Sequence, residues 1–599
     1  MSPRIYTSAY PSAPILNTSI FTRVFAPHGP ELVGAFPRSM KAFIDSESGT
    51  FITRGQLHLL ALSFAYGLRE HPTTQPYARR GDTALILAAN SLAWPVILHG
   101  CVAAGLRCTF ANRGFSFREL AYQYLDKCID TVRSMFSEIG LSREEGDRRT
   151  IILDRDLRWA GGSGASRNLA AHGLRTFQDM LSRGTMDREE QFEGSTAHET
   201  VFLCYSSGTT GKPKGVETTH QNMTTALDVV ASGFAPLRPG EDKVLGCLPF
   251  YHIVGGYLLA RFCAHEVDPS AGAVQLLHLP LTLGSPVVIQ SRFEPFQSCA
   301  NIEKYKIVFA YIVPPILVTL ARHAAVDTFD LSSLRYLRVS AAPAGSDLIK
   351  HVKNRLARRG GNCTIYQGYG QTETSTGVFN LPVDEAERKM GSVGTLSANL
   401  EVRIVLDEEG KHDAETGQRG ELWVRGKTVM KGYLNNPRAT SESITADGWY
   451  KTGDIVVRDP EGFYCIVDRI KELIKYKGSQ VAPAELEGVL LTHPDIADAA
   501  VIGVESIEQA TELPRAYIVH AYPERVRTDA QKMAFARIIQ KWMETKVSRI
   551  KFLRGGVSIV DTLPKSAAGK ILRRELRDLA KLQLARGEIF ELAPVTARL

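Results

Sequence analysis

The 599-residue chain reads as an α/β protein: a large N-terminal domain of parallel-rich sheets carrying a β-rich subdomain, then a small α+β C-terminal domain. Three observations predict this. Apolar segments "TVFLCYSS" (200–207), "SPVVIQS" (285–291), "KIVFAYIV" (306–313) and "LRYLRVSAA" (334–342) are separated by helical stretches, as buried parallel strands are. From about residue 395 the pattern changes to short strands, "EVRIVL", "GELWVRG" and "GFYCIVD", joined by Gly/Asp turns. After Asp468 charge density rises and helices alternate with strands again. The predicted domains are therefore 1–468, with the β-rich part at about 395–468, and 469–599.

Individual elements follow from local signals. Thr53-Arg-Gly-Gln56 is a capping-box pattern, and Leu57, Leu60, Phe64 and Leu68 follow at helical spacing. "DTALILAAN" (82–90) reads as a buried strand, and Ser116-Phe-Arg-Glu119 as the start of another helix. Residues 137–166 have loop composition around a short strand, "TIILD". The C-terminal part predicts helix "PAELEGVLLTH", strands "AAVIGV" and "RAYIVHA", a helix over 528–548 and strand "VSIVD".

Composition narrows the function classes. A net charge of +7 on this length favours small anionic ligands slightly and is too dilute for a nucleic-acid binder. The nine cysteines are scattered with no C-x-x-C pair, which argues against a zinc site or a disulfide framework and fits a reducing compartment. The N-terminal residues lack the apolar core of a signal peptide, and no apolar run reaches membrane-spanning length.

The strongest chemical signal is "YSSGTTGKPKG" (205–215), which follows an apolar strand. Gly and Pro break regular structure, so a loop is expected. Its successive small residues can offer backbone N–H groups as a nest, and Ser206, Ser207, Thr209 and Thr210 add hydroxyl donors. Lys212 and Lys214 bring positive charge, so polyphosphate is the expected guest. It is not a P-loop, because Pro213 stands where Ser or Thr must follow the lysine.

This loop resembles the signature of the adenylate-forming superfamily, which includes acyl-CoA synthetases, 4-coumarate–CoA ligases, luciferases and peptide-synthetase adenylation domains. Four further segments match in order: "LPFYH" (248–252), "GYGQTE" (368–373), "GELWVRG" with "WYKTGD" (420–454), and "DRIKELIKYKGSQVAPAELE" (468–487), the last close to the 4-coumarate–CoA ligase version. The resemblance spans nearly the whole chain.

It implies ATP-dependent activation of a carboxylic acid to acyl-AMP, then transfer to coenzyme A, with ATP, Mg²⁺ and coenzyme A required. Residues Ser206, Ser207, Gly208, Thr209, Thr210, Gly211, Lys212 and Lys214 would hold the β- and γ-phosphates. Tyr369 would stack on adenine, with Gln367, Gly368 and Gly370 beside it. Thr372 would bond the α-phosphate and Glu373 would ligate Mg²⁺. Asp454, read alone as an Asp in a turn after glycine, would take the ribose hydroxyls with Arg469 nearby. His252 would stand as a gate beside the carboxylate, and Lys570 would bridge that carboxylate and the α-phosphate. Lys475, Lys477, Gly478 and Gln480 fall where the group contacts coenzyme A. Lys471 falls at the family's hinge, about which the small, mobile domain would rotate to exchange Lys570 for that face.

The acyl pocket is expected from His252, the strand end "AYIVPPI" (310–316), the turn "VSAAPAG" (339–345) and "YQGYG", with small Ala341, Ala342 and Gly345 leaving room for a sizeable apolar or aromatic acid. The resemblance points to secondary metabolism. The last residues, Ala597-Arg598-Leu599, resemble the tail read by the peroxisomal import receptor.

Two places depart from the family. After "ELAYQYLD" (119–126) relatives continue with a strand and loop for which only Lys127 and Cys128 remain, and losing a strand would expose a sheet edge. Residues 256–272 are extra, in the segment expected to line the acyl pocket. Three other functions stay open on the sequence alone: adenylation for a carrier protein, luciferase-like oxidation of a bound adenylate, and non-catalytic binding of an acyl-adenylate.

Overall fold

The computed structural model describes residues 3–72, 74–110, 133, 136–137, 139–153, 156–163, 174–207, 213–248, 250, 276–340, 344–375, 377–469, 472–477, 479–506, 509, 511–564, 571 and 573–585. The helix expected from Ser116 and both departures from the family lie outside these residues.

A nine-stranded sheet forms the centre. Six of its strands are parallel: Thr364–Tyr369, Tyr336–Val339, Ile307–Ile312, Lys243–Gly246, Val287–Ile289 and Lys41–Asp45. Antiparallel strands close both edges. Its inner face packs against a five-stranded sheet ordered Gly432–Tyr433, Pro213–Thr219, Thr200–Ser207, Arg107–Phe110 and Thr83–Ile86. Phe202, Cys204 and Phe110 from the second sheet join Phe309, Tyr311 and Tyr366 from the first in one apolar cluster, so burial between the sheets holds them together.

The alternation of predicted strands is thus present, with one addition. Pro213–Thr219 is a strand, antiparallel to Thr200–Ser207, so the glycine-rich segment is the connection of a hairpin. Pro213 stands at the first position of the strand, where a missing N–H is tolerated. Thr219 then caps the helix His220–Ser232. The Thr53–Gln56 capping box forms as expected, each side chain bonding the other's backbone N–H.

Among the described residues the five-stranded sheet ends at Thr83–Ile86, whose Leu85 is 45% exposed. Strand Ile151–Ile152 pairs instead with Arg175–Thr176.

The β-rich subdomain is a five-stranded antiparallel sheet of Leu400–Val405, Gly420–Gly426, Tyr450–Arg458 and Tyr464–Arg469, completed by Tyr6–Thr7 from the N-terminus. Its last strand runs to Arg469, one residue past the expected boundary. The C-terminal part has its own apolar cluster around the strands Ile496–Ser506, Thr511–His520 and Val557–Ile559 and helices Pro483–Leu490, Asp529–Glu544 and Arg573–Ala585. It touches the larger part where Arg322 donates to the Ile496 carbonyl at 2.8 Å. Among the described residues no helix is long and apolar enough to cross a membrane.

Candidate functional site

Ligands in open α/β sheets bind beyond the carboxyl ends of parallel strands. Strand Thr364–Tyr369 delivers Gly368 and Tyr369 to that end, and the next residues turn sharply. Gln371 caps this turn: its N–H donates to Thr374 Oγ1 at 2.9 Å. The turn buries Thr372 and Glu373, 5% and 8% exposed. Gln367, also buried, accepts the Ala344 N–H through its side chain at 2.8 Å, which holds Ala344 beside this strand.

Asp454 is not in a turn. It sits within strand Tyr450–Arg458, directly opposite Arg469, whose Nε lies 3.1 Å from Oδ1. Gly453, at φ +72°, supplies the left-handed residue where the register against Gly420–Gly426 slips. That irregularity turns the carboxylate toward the Tyr369 strand end. Its Oδ2 accepts from the Tyr369 hydroxyl at 2.5 Å and Gln371 Nε2 at 2.6 Å. Burial first, then the neighbouring Asp454 charge, raises the Tyr369 phenol well above its ordinary range, so it stays a donor. A carboxylate offers about four acceptor sites. Three are engaged, so taking both ribose hydroxyls requires Tyr369 or Gln371 to yield.

A second buried chain of bonds serves Glu373. The Tyr433 hydroxyl donates to its Oε1 at 3.0 Å, and the Lys214 ammonium lies 4.7 Å from the centroid of the same tyrosine ring. Tyr433 therefore joins the end of the glycine-rich hairpin to the buried carboxylate. Burial, helped by Glu373, pushes its phenol upward too. Tyr450 completes the set by donating to Gln371 Oε1 at 2.7 Å.

Gln371, Tyr433 and Tyr450 are the members that sequence reasoning missed. Gln371 and Tyr450 lie in quoted segments and Tyr433 between two of them, but the partners are 60 and 83 positions apart for the bonds Tyr433–Glu373 and Gln371–Asp454.

Of the expected site residues, Gln367, Gly368, Tyr369, Gly370, Thr372, Glu373, Asp454, Arg469 and Lys214 converge here. Ser206 and Ser207 end the strand that leads to the loop, paired through the backbone with Lys214 and Pro213. Gly208, Thr209, Thr210, Gly211, Lys212, His252, Ala341, Ala342, Lys471, Gly478, Lys570 and the 597–599 tail lie outside the described residues. Gly345 immediately precedes helix Ser346–Ala357.

The C-terminal part presents a separate feature. Strands Ile474–Tyr476 and Ser479–Val481 form a hairpin in which Lys475 and Gln480 are direct partners, both exposed. Lys477, at φ +45°, shapes its tip. Backbone N–H groups of Lys475 and Lys477 are tied to Glu512 Oε2 and Thr511 Oγ1, both at 2.7 Å. A fixed hairpin with two basic side chains suits a flexible anionic ligand.

Comparisons with known proteins identify the family of the chain. Residues 33–266 and 270–434 match the family model described as AMP-binding enzyme, and 485–570 match the AMP-binding enzyme C-terminal domain. The chain is 34% identical over 554 residues to a probable CoA ligase of Humulus lupulus, covering 91% of each. It is 39% identical over 515 residues to probable 4-coumarate–CoA ligase 3 of Dictyostelium discoideum, covering 84% of this chain and 87% of that one. It is 33% identical over 555 residues to the peroxisomal OPC-8:0-CoA ligase 1 of Arabidopsis thaliana, covering 91% of each. In structure it resembles an anthranilate CoA ligase in complex with anthranoyl-AMP, with a TM-score of 0.74 at 21% identity over 96% of this chain and 99% of that chain.

Proposed function

Because the chain belongs to the AMP-binding enzyme family and is an ATP-dependent, AMP-forming acid–CoA ligase, we propose the following division of labour among its residues. In the first half-reaction a carboxylate oxygen of the acid attacks the α-phosphorus of ATP, and the bond to the bridging β-oxygen breaks to release pyrophosphate. The hairpin connection from Ser206 to Lys214 cradles the leaving phosphates. Tyr369 faces the adenine, Asp454 and Arg469 face the ribose, and Thr372 bonds the α-phosphate. Lys570 neutralises the repulsion between the two anions. The observation that carries this reading is the convergence of Tyr369, Glu373 and Asp454, from two different sheets, at one strand end.

Glu373 fits a magnesium ion, since it is an oxygen donor whose orientation the Tyr433 hydroxyl helps to fix. Bound there with the phosphates, the ion would supply positive charge at the polyphosphate.

In the second half-reaction the coenzyme A sulfur attacks the acyl carbon, the thiol proton leaves, and AMP departs. Domain 469–599 would turn about Lys471 relative to domain 1–468, withdrawing Lys570 and presenting Lys475, Lys477, Gly478 and Gln480. His252 and the small residues Ala341, Ala342 and Gly345 would border the acid. A role in secondary metabolism is proposed from the plant and amoebal ligases it resembles. Peroxisomal residence is proposed from Ala597-Arg598-Leu599 together with the peroxisomal Arabidopsis relative. The test is pyrophosphate release with a panel of carboxylic acids, with and without coenzyme A. Thioester and AMP in equal amounts are expected; AMP without thioester would contradict the ligase assignment.

A further inference from the structure

Tyr311, Arg338 and Tyr366 occupy neighbouring positions on three adjacent parallel strands, with Arg338 the direct partner of both tyrosines. Partners in register on a sheet point to the same face, so the three side chains stand in a row. All are buried, at 2%, 3% and 0% exposed. The guanidinium carbon lies 5.9 Å from each ring centroid.

What sets this row apart is its unmet hydrogen bonding. Among the described residues, Nε and Nη1 of Arg338 and the hydroxyls of Tyr311 and Tyr366 make no hydrogen bond of ordinary length, although Arg338 lies beside the Tyr311 oxygen and the Ala235 backbone beside that of Tyr366. No ion pair to Arg338 occurs among the described residues. Buried donors are satisfied in the great majority of native sites, and a buried guanidinium without an anion is costly. Four such donors on one face mark a place that an acceptor from outside should fill.

The row also has the right location. Val339 follows Arg338 directly and ends its strand, leading into the 339–345 segment expected at the acyl pocket, while Tyr366 precedes the Gly368–Tyr369 nucleotide segment by two residues. A Cβ on Gly368 would fall 2.6 Å from Arg338 Nη2, so the guanidinium edge lies against the backbone of that segment. Strands bearing Tyr311, Arg338 and Tyr366 are three that the acyl pocket was expected to use.

We propose that Arg338, with the hydroxyls of Tyr311 and Tyr366, is a specificity site for the acid substrate, selecting carboxylic acids that carry a second anionic oxygen group, such as a second carboxylate, at the end remote from the reacting one. This rests on the ligase reading above and on its placing of the acyl pocket. Arg is suited to the task because its planar fork meets a carboxylate through paired hydrogen bonds. Burial raises both phenols, that of Tyr366 to about 12, so both remain protonated donors. A purely apolar acid would bring these donors no acceptor, and sites built to hydrogen-bond reject ligands lacking the partner.

The experiment compares matched acids, each as mono- and dicarboxylate: octanoate with octanedioate, and cinnamate with its para-carboxylated analogue. Pyrophosphate–ATP exchange is measured on the full chain and on Arg338→Met, which keeps bulk without donors, and Arg338→Lys. The wild type should favour the dicarboxylate by about tenfold or more in kcat/KM. Arg338→Met should lose roughly a hundredfold on the dicarboxylate while the monocarboxylate is unchanged or improved, and Arg338→Lys should recover part of the loss. A wild-type preference for the monocarboxylate, or an equal loss on both acids in Arg338→Met, would overturn the proposal. Absence of exchange with every acid would instead sink the ligase reading and this site with it.

Discussion

The Tyr433 hydroxyl donates to Glu373 Oε1 at 3.0 Å while the Lys214 ammonium sits 4.7 Å from the centroid of the same ring. One side chain thus ties the carboxylate proposed for magnesium to a lysine of the phosphate hairpin. Each contact fixes a group that must meet ATP in a set orientation, which is how preorganised charge lowers a barrier.

Replacing Tyr433 by Phe removes only the hydroxyl. A hydrogen bond to a charged group contributes about 1.5–3 kcal/mol, so adenylation should fall roughly ten- to a hundredfold. Higher magnesium should restore part of the loss, because the carboxylate keeps its charge but is less well oriented. Titration of pyrophosphate release against magnesium at saturating acid checks this. An unchanged magnesium dependence would show that the bond does not orient Glu373.

Arg573, three positions after Lys570, is anchored without slack. Its Nε bonds Glu472 at 2.9 Å, and its Nη atoms bond Glu487 and the Val501 carbonyl. Burial opposes its charge most strongly, but Glu487, Glu472 and Asp468 outweigh that and raise its pKa. Glu472 directly follows the proposed hinge, so Arg573 ties the residue after the hinge to the helix that follows Lys570. Arg573→Gln should slow adenylation more than thioester formation from supplied acyl-adenylate, with Arg573→Lys intermediate. Equal losses in both half-reactions, with a lower Tm, would indicate a structural role only.

Asp468 precedes the hinge, and burial raises its carboxyl from the ordinary range to about 6 although its oxygens accept from the Arg469 and Ala484 N–H groups. The native state therefore binds this proton more tightly than the unfolded chain does, and stability must fall as pH rises from about 4 to 6. The cost is absent below about 4 and complete above about 6, on the order of 3 kcal/mol in full. Asp468→Asn, which cannot titrate, should gain Tm relative to the parent as pH is raised through that window. A parallel pH dependence in the two proteins would refute the shift.

Much of this molecule is legible from residue pattern because parallel strands buried on both faces are continuous apolar runs, as in Ile307–Ile312. The antiparallel strand Pro213–Thr219 escapes that reading, since its Pro, Lys and Gly mimic a loop and its pairing, not its composition, makes it a strand. Tyr6–Thr7 is too short for any periodicity, and its pairing with Leu400–Val405 makes it a strand. Asp454 follows a glycine and reads as a turn; the irregular register at Gly453 is invisible without the neighbouring strand. The loop residues and Asp454 carry recognisable chemistry in order, whereas Tyr433 and Arg338 owe their roles to partners distant in sequence.

The central claim is that two anions are joined at this strand end with the help of an amine from the C-terminal part. Pyrophosphate–ATP exchange in Lys570→Ala tests it most directly, with thioester formation from supplied acyl-adenylate as the control for folding. Exchange should drop by roughly a hundredfold or more while the control persists. Exchange at the parental rate would contradict the account.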